Sequence, residues 1–99
     1  MARKLAPMHP GEVLREEFLV PLELTPYAVA KSCGVPRTRI ERIAREELGV
    51  SADTALRLGK FFRTSPDFWL NLQKDFDLQV ARKEIEKEVA KIEPVDAAA

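Results

Sequence analysis

Pro26-Tyr-Ala-Val-Ala-Lys-Ser-Cys-Gly-Val-Pro-Arg-Thr-Arg-Ile-Glu-Arg-Ile-Ala-Arg45 reads as one helix, a sharp turn and a second helix. Ala30 is small where two helices must cross closely. Gly34 stands at the turn, where a residue of positive φ is wanted. Val35, Ile40 and Ile43 have the spacing that holds the second helix against the first. The second helix carries four arginines, Arg37, Arg39, Arg42 and Arg45. A helix-turn-helix of this kind serves mainly to place one helix in the major groove of DNA.

The charge distribution agrees. The chain has 99 residues, 16 basic and 16 acidic, and no net charge. From Pro26 to Arg45 five basic residues stand against the single acid Glu41, so this stretch carries +4 and the remainder −4. A nonspecific nucleic-acid coat would be basic throughout; here the basic charge is concentrated on the candidate recognition unit. An arginine face on an isolated helix is ordinarily only solvated. This one follows a matching first helix and turn, which favours DNA.

Working outward, the chain reads as a single all-α domain over 1–93. Pro7 and Pro10-Gly11 mark the entry to a first helix, from Glu12 to about Val20, which Pro21 either ends or kinks in its last turn. Thr25-Pro26 is an N-cap followed by proline, the usual helix opening. That second helix runs to about Ser32, and Pro36 opens a third to about Arg45. Ser51 caps a fourth, Ala52 to about Phe62, with Ala55, Leu56, Leu58, Gly59 and Phe62 expected inward. Ser65-Pro66 repeats the cap-then-proline start. The fifth helix then meets no Pro or Gly before Pro94, which predicts an extended C-terminal helix over about 66–92 and a disordered tail over 94–99. Beyond Ala81 it is mostly charged, with a thin apolar stripe of Ile85, Val89 and Ile92. That stripe is either a solvated, fraying end or a surface for a partner.

A helical wheel for the third helix, with Ile40 at zero, puts Ile43 and Ala44 within about 60° of it, the inward side. Arg37, Thr38, Glu41 and Arg42 form the base-reading set. Arginine suits guanine O6/N7 and glutamate suits cytosine N4. Glu41 equally suits an i±4 pair with Arg37 or Arg45. Thr25, Lys31, Arg39 and Arg45 are placed for phosphates. One recognition helix covers few base pairs, so a homodimer spanning two half-sites is expected, with the fifth helix as its interface.

Other functions find little support. There is no nucleophile–base pair, no metal-ligand spacing and no phosphate-cradling glycine loop, so neither an enzyme nor a cofactor or metal site is expected. His9 is the only histidine, and Cys33 is the only cysteine, expected as a small core-facing residue. No disulfide forms within the chain, which points to the cytoplasm. No apolar run is long enough for a membrane span, and no apolar segment follows Arg3 and Lys4 to make a signal peptide.

Three further stretches carry a family likeness. His9-Pro10-Gly11-Glu12-Val13-Leu14-Arg15-Glu16-Glu17-Phe18-Leu19 with Pro21-Leu22, Asp53-Thr54-Ala55-Leu56-Arg57-Leu58, and Thr64-Ser65-Pro66-Asp67-Phe68-Trp69-Leu70-Asn71-Leu72-Gln73 resemble the signatures of HigA-type antitoxins. These belong to the Xre, or lambda-repressor-like, helix-turn-helix class. The likeness covers about Met8 to Lys83. It implies a five-helix DNA-binding domain whose dimer binds double-stranded operator DNA and represses its own operon. It also implies a HigB-type toxin partner, of RelE-like fold and mRNA-cleaving, held by residues before the first helix or by that helix's outer face.

Two alternatives accompany this reading: a stand-alone Xre regulator without a toxin, and an interaction module that has lost DNA binding. The second is motivated by Glu46-Glu47-Leu48, where the family often has a Gly-Lys-Arg-like segment. Two acids there would repel phosphates, unless the third helix simply runs longer. Phe68, Trp69 and Leu72 read as core, Trp69 with a hydrogen-bonded indole N–H. Asp53 reads as a first-turn acid at its helix N-terminus, and Asn71 as the partner of a buried backbone group.

Overall fold

The computed structural model describes residues 7–96. Within them the chain forms five helices and no strand. Helix α1 opens as Pro10–Val13 and widens without a break into π-helical turns over Leu14–Leu19. The others are α2 (Pro26–Cys33), α3 (Arg37–Ala44), α4 (Ala52–Phe62) and α5 (Pro66–Ala90).

The starts follow the cap chemistry expected. Thr25, Ser51 and Ser65 each accept a hydrogen bond from the N–H three residues on, at 3.1, 3.2 and 3.0 Å. Helix α1 begins at Pro10, two residues before the expected Glu12, because His9 caps it: Gly11 N–H donates to His9 Nδ1 at 2.8 Å.

Four helix ends share one device. After α1, α2, α3 and α4 a residue at positive φ turns the chain back: Glu23, Gly34, Glu46 and Arg63. In each case the next N–H reaches a carbonyl five residues earlier, as in Leu24 to Leu19, Val35 to Ala30, Glu47 to Arg42 and Thr64 to Gly59. Only one of the four is glycine. A side chain in this conformation costs about 1–2 kcal/mol. Arg63→Gly should therefore stabilise the fold by about 0.5–1 kcal/mol after the extra unfolded-state freedom of glycine is deducted. Thermal unfolding checks it, as a rise of about 2–8 °C.

The core is one cluster in which Leu14, Val29, Ile40, Ile43, Leu58 and Trp69 are fully buried, with Ala30 and Ala55 at the helix crossings. Trp69 seats its indole on Phe18, with ring centroids 5.2 Å apart, and donates its N–H to Thr64 Oγ1 at 2.9 Å. Phe18 also meets Phe62 at 4.6 Å, so aromatic rings join α1, α4 and α5.

Some expectations fail for identifiable reasons. Leu56 was expected inward but is 61% exposed, because the buried arc of α4 is filled by Thr54, Ala55, Leu58 and Gly59. Asn71 is exposed; Gln73 takes the role assigned to it, its Oε1 accepting from Val50 N–H at 2.6 Å. Phe68 is 38% exposed, on the rim of the core rather than in it. Helix α5 ends at Ala90 rather than Ile92 and has a non-helical residue at Ile85 (φ −119°, ψ 19°). Of the expected disordered tail, 97–99 lie outside the described residues, as do 1–6, part of the segment proposed for toxin contact.

Candidate nucleic-acid interface

Helix α3 is gripped from behind and bare in front. Ile40, Ile43 and Ala44 are buried, while Arg37, Thr38, Arg42 and Arg45 are exposed. The amphipathic pattern thus turns the helix so that its cationic side faces outward. Glu41 is half-buried and paired with Arg37, Nε to Oε2 at 3.2 Å, which realises the i,i+4 alternative. Lys31 is exposed in the last turn of α2. At the other end of α2, Thr25 Oγ1 is engaged by Ala28 N–H.

Arg39 stands apart from that set. It lies on the flank of α3 and reaches α4, where Nη1 donates to Asp53 Oδ1 at 2.8 Å and to Thr54 Oγ1 at 3.4 Å. Asp53 is a first-turn acid of α4, as expected, but its partners are guanidinium groups. Arg57 Nε also meets Oδ1 at 2.8 Å. Arg57 and then Arg39 hold the Asp53 carboxyl below its ordinary pKa.

Two arginines that no local pattern singled out position the unit. Arg57 Nη1 donates to the carbonyls of Cys33 (2.7 Å) and Gly34 (3.4 Å), capping the C-terminus of α2 and bracing the turn. Arg15, on α1, donates from Nη1 to Ala44 O at 2.6 Å and from Nη2 to Glu46 at 3.2 Å, capping the end of α3. A cation at a helix C-terminus also answers the helix dipole. These bonds span 24 and 29 residues of chain, so spacing along one helix gives no hint of them.

Of the two expectations for Glu46 and Glu47, that of a longer third helix fails. Helix α3 does not run on; it ends at Ala44. Glu46 takes the positive-φ position (φ 65°) that follows the helix and suits glycine. Its carboxylate is partly neutralised by Arg15.

Cys33 is half-buried against the core, its thiol 3.7 Å from Arg57 O, and burial pushes its pKa up. A thiol so placed is less nucleophilic than a free one. Among the described residues no group of three or more His, Cys, Asp or Glu is arranged to hold a metal ion.

His9 is buried at the base of the unit, edge-on to Phe76 with ring centroids 4.8 Å apart. Because Nδ1 accepts a hydrogen bond, it must be unprotonated there. Burial lowers its pKa, against the opposing charges of Glu46 and Asp77. The unfolded chain therefore binds the proton first as pH falls. The stability linked to His9 is fully present above about 6.5 and is lost as pH falls from there through the folded pKa. The denaturant midpoint should drop between about pH 7 and 5. His9→Asn, which keeps a capping oxygen and cannot titrate, should flatten that slope. An unchanged slope would assign the dependence to other groups.

This scaffold has close counterparts. No family model matches the chain. It is 43% identical to the Pseudomonas aeruginosa antitoxin HigA solved with the higBA promoter, with a TM-score of 0.87 over 90% of this chain and 98% of that one. It is 32% identical to antitoxin HigA-1 of Vibrio cholerae, over 93% of this chain and 87% of that protein. It is also 41% identical to an HTH-type transcriptional regulator of Haemophilus influenzae, over 79% of this chain and 71% of that protein. These relatives are antitoxins and regulators rather than enzymes, and no described helix is long and apolar enough to cross a membrane. Since the likeness spans the helix-turn-helix and the helices that brace it alike, the chain belongs to the HigA family of helix-turn-helix antitoxins.

Proposed function

We propose that this HigA-family chain binds its own operator as a sequence-specific repressor and neutralises a HigB-type, mRNA-cleaving toxin by direct binding, in the cytoplasm. The observation that carries the DNA half is the orientation of α3: its apolar side is fully buried, which leaves Arg37, Thr38, Arg42 and Arg45 outward. In this reading Arg37, Thr38 and Arg42 meet base edges, with Glu41 holding Arg37 or accepting from cytosine. Thr25, Lys31, Arg39 and Arg45 contact phosphates. The toxin half rests on family membership and on the acidic remainder of the chain, which suits a partner that must itself bind RNA.

Two such units are joined in a dimer. Beyond the core, the C-terminal stretch carries Ile85, Val89 and Ile92 at 46, 50 and 69% exposure, Ile85 at the non-helical position of α5 and Ile92 just past its end. A second copy laid along this stripe would cover it, and two-fold symmetry would set the half-sites about 34–36 Å apart. A stand-alone regulator is the second reading, favoured by the likeness to the Haemophilus protein.

Binding to a labelled fragment of the DNA upstream of its own gene, at two salt concentrations and against random competitor, tests the repressor. Specific, salt-sensitive retention is expected. Failure to retard that fragment at low salt by folded protein overturns it. Co-expression with the product of the adjacent gene then separates antitoxin from stand-alone regulator, through restored growth or none.

A further inference from the structure

The arrangement of Arg39, Asp53 and Arg57 is larger than a helix cap requires. A single oxygen, Asp53 Oδ1, receives Arg39 Nη1 from α3 and Arg57 Nε from α4, both at 2.8 Å. Arg57 is independently anchored, since its Nη1 holds the carbonyls of Cys33 and Gly34. Arg39 has only Asp53 and, at 3.4 Å, the Thr54 hydroxyl. The three side chains remain partly open to solvent, 33% for Arg39, 56% for Asp53 and 42% for Arg57. An oxyanion thus sits between two guanidinium groups at the edge of the recognition unit, in the way a phosphate oxygen would.

We propose that Asp53 sets the threshold for DNA binding: its carboxylate stands in for a DNA phosphate on Arg39, so that any duplex must displace it, and operator DNA, which also offers base contacts, is bound where random DNA is not. The inference rests on the reading that Arg39 meets phosphate. A phosphate approaching Arg39 meets the repulsion of Asp53 and must break an existing ion pair. Every DNA sequence bears that cost. Operator complexes also hold base contacts from Arg37, Thr38 and Arg42. Random DNA has little beyond phosphates, and is rejected. Arg57 stays behind as the fixed partner of Asp53 when Arg39 moves.

Asp53→Asn tests it. The amide keeps an oxygen that accepts from Arg57 and removes only the charge. With the fold verified by thermal melting, affinity for random duplex is expected to rise about 3–10-fold. The slope of log affinity against log salt should steepen by about one, as for one added phosphate contact. Operator affinity should rise by a similar factor, so the ratio of operator to random affinity should stay about the same while random DNA becomes bound at concentrations that leave it free of the parent protein. In the Arg39→Gln background the same substitution should give less of the rise. Unchanged or weaker binding to random DNA with an unchanged salt slope would overturn the proposal and leave Asp53 as a brace. Arg39→Gln alone separates the two failures. If it leaves DNA binding and its salt slope untouched, the phosphate role of Arg39 has failed. If it weakens binding while Asp53→Asn strengthens nothing, only the stand-in has failed.

Discussion

Gly11→Ala is expected to destabilise the protein by about 3–5 kcal/mol, much of the 5–15 kcal/mol that holds a typical domain folded. The reason is where α1 crosses α3. A Cβ built on Gly11 lies 1.7 Å from the backbone oxygen of Ile43 and 2.9 Å from its carbonyl carbon. Neither atom belongs to a movable side chain, so one helix must retreat by well over an ångström. That retreat opens the seam around Leu14, Ile40 and Ile43, which are fully buried. It also moves His9 Nδ1, 3.1 Å from the added atom and already engaged in capping α1. Gly49 is the informative contrast. A Cβ there meets only the end of the Gln73 side chain, at 2.8 Å. Gly49→Ala should therefore cost markedly less than Gly11→Ala. Thermal melting checks both. The Gly11 variant should lose at least about 12 °C. A loss of only a few degrees would mean that α1 slides on α3 freely, and that the seam does not fix the recognition helix.

That seam marks the boundary of what local sequence could convey. The helix starts were legible because each is written in adjacent residues: Thr25-Pro26, Ser51 and Ser65-Pro66 all cap as read. The inward side of α3 was legible for the same reason, since Ile40, Ile43 and Ala44 are set by a period of 3.6. Long-range geometry was not. Gly11 read as part of a helix entry, and nothing nearby says that it must admit the backbone of residue 43. Arg15 and Arg57 stood in the family-like stretches with no role assigned, whereas each caps a helix far away in sequence. Leu56 was misplaced because apolar character alone cannot say where a buried arc ends, and Thr54, a polar residue, occupies that end. Glu46 shows the converse. With Glu47 it suggested repulsion of DNA, while its backbone serves as the turn after α3 and its charge is shared with Arg15.

For DNA recognition the largest single effect is expected from Arg42→Ala. Arg42 is exposed on the outer side of α3, and among the described residues no carboxylate lies within ion-pair distance of it. Its neighbours are committed elsewhere. Arg37 is held by Glu41 and Arg39 by Asp53, so each must surrender a partner before it gains one on DNA. Arg42 surrenders only water. Removing it should cost about 1–3 kcal/mol, roughly 5–150-fold in affinity for the operator. Arg37→Ala should cost less. Stability offers no competing explanation, because alanine favours an exposed helical position and such changes rarely exceed about 0.5 kcal/mol. The comparison of operator with random DNA then assigns the contact. A greater loss on the operator, with the salt slope little changed, places Arg42 on a base edge. Equal losses on both, with the slope reduced by about one, place it on a phosphate, and sequence reading passes to Arg37 and Thr38.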